Sequence, residues 1–120
     1  MAGATHIVTL IASTTVTGTG SDASEWFNLS RYSEGILYID VTDIDGTDIV
    51  VAVETSPDDD EDTRQAFEAY DDTGSEASYT IPNVNQISKK FSNFGKWLRV
   101  TYTFTGTDVT FRVLFAGKVK

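Results

Sequence analysis

The stretch GILYIDVTDIDGTDIVVAVETS, Gly35 to Ser56, decides the fold class. On both sides of the dipeptide Asp45-Gly46 its aliphatic residues recur at every second position. A period of two belongs to a strand with one face on a core, whereas a helix repeats its apolar residues every three or four. Leu37, Ile39 and Val41 are expected to face the core on the first arm, and Ile49, Val51 and Val53 on the second. Asp-Gly accepts the positive φ of a tight two-residue turn, so the stretch reads as a hairpin closed at Asp45-Gly46. A slip of one residue on either arm would exchange its faces.

The alternation continues toward both ends of the chain. In KWLRVTYTFTGTDVTFRVLFAGKVK, Leu98, Val100, Tyr102 and Phe104 alternate on one arm, and Val109, Phe111, Val113 and Phe115 on the other. This predicts a second hairpin, turning at TGTD. ATHIVTLIAS predicts a first strand with Ile7, Thr9 and Ile11 on one face and Val8 and Leu10 on the other. TTVTGTGSD reads as a short β segment running into a Gly/Ser turn, and SEWFNLSRY as a short strand or an aromatic-anchored loop. RQAFEAYDD fits a single helical turn or, favoured by the β context, a strand with Phe67 inward, and EASYTIPN fits a strand ended by Pro82, which cannot donate to a central ladder. About eight short strands with no alternating helices define an all-β chain, an antiparallel β-sandwich or jelly roll. No linker or repeat divides it, so residues 1–120 are expected to form one domain.

Composition agrees with a globular protein. The chain has 120 residues, 40% of them hydrophobic, enough for a real core. It has no cysteine, which removes disulfides and thiolate metal sites. No apolar run approaches the roughly 18 residues of a membrane span. HIVTLIA follows no Lys or Arg, so it reads as a strand rather than a secretory signal. The net charge of −9 is unevenly written: residues 1–88 hold 17 acids and two bases, residues 89–120 one acid and seven bases. Such a division either prepares a pole for an acidic partner or cancels when the two segments interleave in the fold.

Chemistry is hard to assemble from these residues. The run Asp58–Asp62 could be a cation loop or a solvated turn. As an EF-hand starting at Asp58 it has Thr63 where Gly is needed and Ala69 where a bidentate Glu is needed. Framing the Asp45-Gly46 acids as such a loop puts Val41 first and Ala52 twelfth. The turn is the better reading. His6 is the one histidine and no GxSxG elbow exists, so no nucleophile–base pair is in sight. No catalytic, cofactor-binding or metal-ligating residue is assigned, and the chain is expected not to be an enzyme. KKFSNFGKWLR mixes Lys89, Lys90, Lys96 and Arg99 with aromatics, as single-strand nucleic-acid platforms do. The overall negative charge opposes a phosphate backbone, so core packing plus a protein-docking surface is expected there instead.

Three stretches carry a family likeness: TGTGSDASEWFNLSRY, LYIDVTDIDGTDIVVAVETSPDD and KWLRVTYTFTGTDVTFRVLFAGK. With them the chain resembles small β-sandwich virion proteins of tailed phages, of the capsid decoration (cementing) type. The resemblance implies a structural protein that binds a major capsid protein or another virion protein and stabilises the head from the capsid surface, after assembly in the host cytoplasm. It implies a homo-oligomer, as a trimer, with no cofactor, no nucleic acid and no membrane among its partners. A neck or tail component and a carbohydrate-binding β-sandwich with Trp26, Tyr32 or Trp97 as platforms are the alternatives. The residues expected to make protein contacts are Ile7, Thr9, Ile11, Lys89, Lys90, Lys96, Arg99 and Lys118.

Overall fold

The structure is a computed structural model and describes residues 4–92 and 94–120. Among the described residues eight strands follow one another: β1 (Thr5–Thr17), β2 (Gly20–Ala23), β3 (Phe27–Asn28), β4 (Tyr32–Ser56), β5 (Phe67–Glu68), β6 (Ser78–Ile81), β7 (Asn85–Phe91) and β8 (Trp97–Val119). All pair antiparallel. The all-β class is as the alternation predicts.

The two hairpins are not. β4 runs through Asp45-Gly46 as one 25-residue strand and β8 runs through TGTD as one of 23. They pair with each other from Tyr32↔Val119 to Ser56↔Trp97. A tight Asp-Gly hairpin needs positive φ at both central residues. Among the described residues no non-glycine has positive φ, and Gly46 is not among the positive-φ glycines, whereas Gly106 has φ +152°. Gly46 and Gly106 are register partners, and the ladder shifts on both sides of them. A Cβ on Gly46 would lie 2.5 Å from the Thr105 carbonyl oxygen. The glycines let two backbones touch while both strands bend together.

The bend folds the sheet onto itself. Tyr102 and Phe111 are nine residues apart in β8, about 30 Å along an extended strand, yet their rings lie edge to face at 5.1 Å. Phe94 and Phe115 meet likewise at 5.5 Å. The first layer therefore holds β1, the C-terminal half of β8, the N-terminal half of β4, and β7. The second holds β2 and β3, the other half of β8, the other half of β4, and β6 with β5.

The expected inward positions meet between the layers. Leu37, Ile39, Val41, Ile49, Val51, Val53, Leu98, Val100, Phe104, Val109, Phe111, Val113 and Phe115 are all buried in one cluster, and Tyr102 is half-buried. Burial, then the Asp22 carboxylate, raises the Tyr102 hydroxyl above its ordinary pKa. Phe67 is the misplaced one. It lies on the two-residue edge strand β5, 53% exposed, with no core left to enter.

Candidate functional site: the outer face of the first layer

Residues paired directly across a sheet share a face. On the outward side of the first layer, Ile7, Ala116, Ile36 and Lys90 form one row across four strands. Thr9, Leu114, Tyr38 and Ser88 form the next. Ile7 is 63% exposed, Tyr38 40% and Ile36 36%, so the centre of this face is an aliphatic and aromatic stripe open to solvent. Single exposed apolar residues are ordinary; a contiguous set on one flat face marks a contact surface.

Ion pairs frame the stripe. At one end Glu34 lies 3.5 Å from Lys90 and 3.7 Å from Lys118. At the other, Arg112 donates to Asp40 at 3.1 Å, and Gln86 donates to the same carboxylate. Two depressions lie along the stripe, one between Tyr38, Ser88 and Leu114, the other between Ile36, Lys90 and Ala116. An apolar centre with a polar rim is the anatomy of a protein–protein contact.

The expected contact residues divide. Ile7, Thr9, Lys90 and Lys118 gather on this face. Ile11 does not: the register shift between Thr9 and Ile11 turns it toward the core, where it packs half-buried. Lys89 pairs with inward-facing Leu37, and its Nζ sits 5.2 Å from the centre of the Tyr79 ring. Lys96 and Arg99 belong to the second layer. Ile36, Tyr38, Arg112, Leu114 and Ala116 complete the face and were passed over in the sequence. Their signal is that GILYI and RVLFAG are apolar at outward as well as inward positions, as in strands covered on both sides.

A second polar cluster anchors the acidic loop. Asp58 and Asp60 accept hydrogen bonds from the amides of Asp60 and Asp62, and the Asp58 carboxylate also takes the Thr63 hydroxyl. Arg64 donates to the carbonyls of Asp58 and Asp59 and lies 4.0 Å over Trp97. Asp59 accepts from Lys96 at 2.7 Å and from the Trp97 indole at 3.1 Å. The Lys96 bond first, then the Trp97 bond, holds its carboxyl below the usual carboxylate value. Arg99 bonds Glu54 at 2.7 Å and covers Trp26 at 4.7 Å. The carboxylates at 58 and 60 cap their own loop, and guanidinium groups cover both tryptophans. Among the described residues no group of three or more His, Asp or Glu is arranged to hold a metal ion.

Charge is sorted by layer. Among the described residues five ion pairs join bases from residues 89–120 to four acids from residues 1–88, so the fold interleaves the two segments and offsets part of the division along the sequence. What remains is lateral. The first layer with Arg31 has six bases (Arg31, Lys89, Lys90, Arg112, Lys118, Lys120) and five acids (Glu34, Asp40, Asp43, Asp45, Asp108), +1. The second layer and its loops have three bases and thirteen acids, −10, which restores the total of −9.

No family model matches the sequence. No curated protein matches it either. Solved structures do share the fold. The SPBc2 prophage-derived protein YomS is similar over 96% of this chain and 95% of its own, with 16% identity and a TM-score of 0.55. A chain of the Bacillus endospore appendages, which form disulfide-linked pili, is similar over 98% and 93%, with 13% identity and a TM-score of 0.49. At 16% identity the likeness to YomS is one of fold.

Proposed function

We propose that this protein is a structural component of a phage particle, in which the outer face of the first layer docks on a lattice of virion proteins, most simply as a capsid decoration protein. The observation that carries the reading is the apolar stripe Ile7, Ile36, Tyr38, Leu114 and Ala116, framed by ion pairs on the one layer free of excess negative charge. Docking by that face leaves the −10 layer in solvent, where like charges keep particles apart. The fold shared with a prophage-derived protein supports the phage setting. A glycan-binding module would present bare tryptophans, whereas Arg64 and Arg99 lie over those here. The role is binding without a catalytic step.

The test is sedimentation of the purified protein with phage heads assembled without it. Saturable co-sedimentation and a higher disruption temperature of the decorated heads are expected. Heads that neither retain the protein at micromolar concentration nor gain stability would overturn the assignment.

A further inference from the structure

We propose that the open edge of β1 pairs antiparallel with β1 of a second copy of this chain, about a two-fold axis at Ile7. The proposal rests on the reading that copies act together on a particle, and it names the seam that joins them.

Strand edges expose unpaired N–H and C=O groups, and proteins blunt them with brevity, charge or proline. β7, the other edge of the first layer, carries Lys89 and Lys90. The outer strands of the second layer, β2, β3, β5 and β6, have at most four residues each. β1 has 13 residues, nine of them β-branched, with no Asp, Glu, Lys, Arg or Pro. Among the described residues it pairs only with β8. Its register shifts begin after Thr9, so Thr5–Thr9 is the straight segment available to a partner.

A copy of the same chain fits that edge because Thr5–Thr9 is its own complement about Ile7. Charge tolerates it, since two molecules of net charge −9 repel least where the near-neutral first layers meet. Pattern selects the register. With the axis at Ile7, Ile7 faces Ile7 of the copy and Thr5 faces Thr9. The row Ile36–Ala116–Ile7 then continues into its own mirror sequence, giving one apolar row across the seam. Both Ile7 side chains, each 63% exposed alone, cover one another. Five residues per strand make a small contact, in the class of transient interfaces below about 1,200 Å².

The chain has no cysteine, which makes the test direct. Antiparallel partners sit about 4.5–5.5 Å apart at Cα, within disulfide reach. Under mild oxidation Ile7→Cys is expected to form a covalent dimer at least about tenfold faster than Val84→Cys, whose side chain is comparably exposed at 56% but lies outside every strand. In sedimentation equilibrium the wild type is expected to form dimers, and Ile7→Lys, which sets two like charges opposite each other, to weaken them about tenfold or more. Equal crosslinking at both positions, or no crosslinking at Ile7→Cys, would overturn the seam. So would a trimer indifferent to Ile7→Lys. Protection of Ile7→Cys from a thiol reagent only on decorated heads, without any self-crosslinking, would assign this position to the contact with the lattice protein instead. Failure of head binding with an intact β1 dimer would sink the proposed function and leave the seam standing.

Discussion

Replacing Gly106 by alanine tests the bend on which the two-layer architecture depends. The residue has φ +152°, a backbone conformation L side chains rarely adopt. A methyl there would stand against the Cα of Gly46, 2.8 Å from the Asp45 carbonyl oxygen and 2.8 Å from the edge of Phe104. Two of those three atoms are backbone and cannot swing away. Backbone strain of about 1–3 kcal/mol adds to overpacking of about 1–3 kcal/mol, so Gly106→Ala should lose about 2–6 kcal/mol. Domains of this size hold about 5–15 kcal/mol in all, and the loss corresponds to a Tm lower by about 8–24 °C. Urea and thermal unfolding followed by circular dichroism would measure it. Gly74→Ala isolates the cost of φ alone, at φ +81° in open space, and should lose about 1 kcal/mol. Gly20→Ala, with ordinary φ and nothing nearby, should fall within about 0.5 kcal/mol of the wild type. If Gly106→Ala were no worse than Gly74→Ala, the strands would not cross in contact at Gly46 and Gly106.

Other consequences concern the loops. Arg64→Ala removes the cation over Trp97 and two hydrogen bonds to the acidic loop. It should cost about 1–2 kcal/mol and make tryptophan emission more accessible to acrylamide. Buried Asp71 accepts hydrogen bonds from the Thr73 hydroxyl, the Tyr79 hydroxyl and the amides of Thr73 and Ser75. The Thr73 hydroxyl above all holds its carboxyl below the ordinary value, against burial, which raises it. A depressed carboxyl stabilises the fold above its unfolded pKa of about 3.9 and loses that contribution as pH falls through the lower folded value. Stability of the wild type should therefore decline below about pH 4, and Asp71→Asn should remove this part of the decline. Unfolding midpoints measured from pH 7 to pH 2 would check the difference.

Period-two alternation carried most of the fold because it reports which side of each strand meets a core, whatever the connections. That is why Leu37, Ile39 and Val41, and Val109, Phe111, Val113 and Phe115, fall inside as read. Connections are a different matter. Asp45-Gly46 suits a tight turn locally, but its partner lies some sixty residues away at Gly106, and pairing at that distance leaves no local trace. Glycine served here for close backbone approach rather than for a hairpin. The outer face of the first layer was half legible for a similar reason. Ile7, Thr9, Lys90 and Lys118 lie on it, but which strands bring them together is set by β4 and β8 running side by side. Ile11 was lost to a bulge, which breaks the parity that alternation depends on. The charge division along the chain was real in sequence and misleading in space, because the pairing of β8 with β4 sets bases opposite acids.

The central claim is that the first layer meets the particle and the second does not. Two exposed aromatics allow a matched comparison: Tyr38 on the first layer, 40% exposed, and Phe67 on the edge of the second, 53% exposed. The measurement is the affinity of Tyr38→Glu and Phe67→Glu for heads lacking the protein, with folding verified by circular dichroism. Tyr38→Glu should weaken binding at least about tenfold, since it buries a charge in an apolar contact, while Phe67→Glu should bind as the wild type does. Undiminished binding by Tyr38→Glu together with loss in Phe67→Glu would place the contact on the other layer and contradict the account.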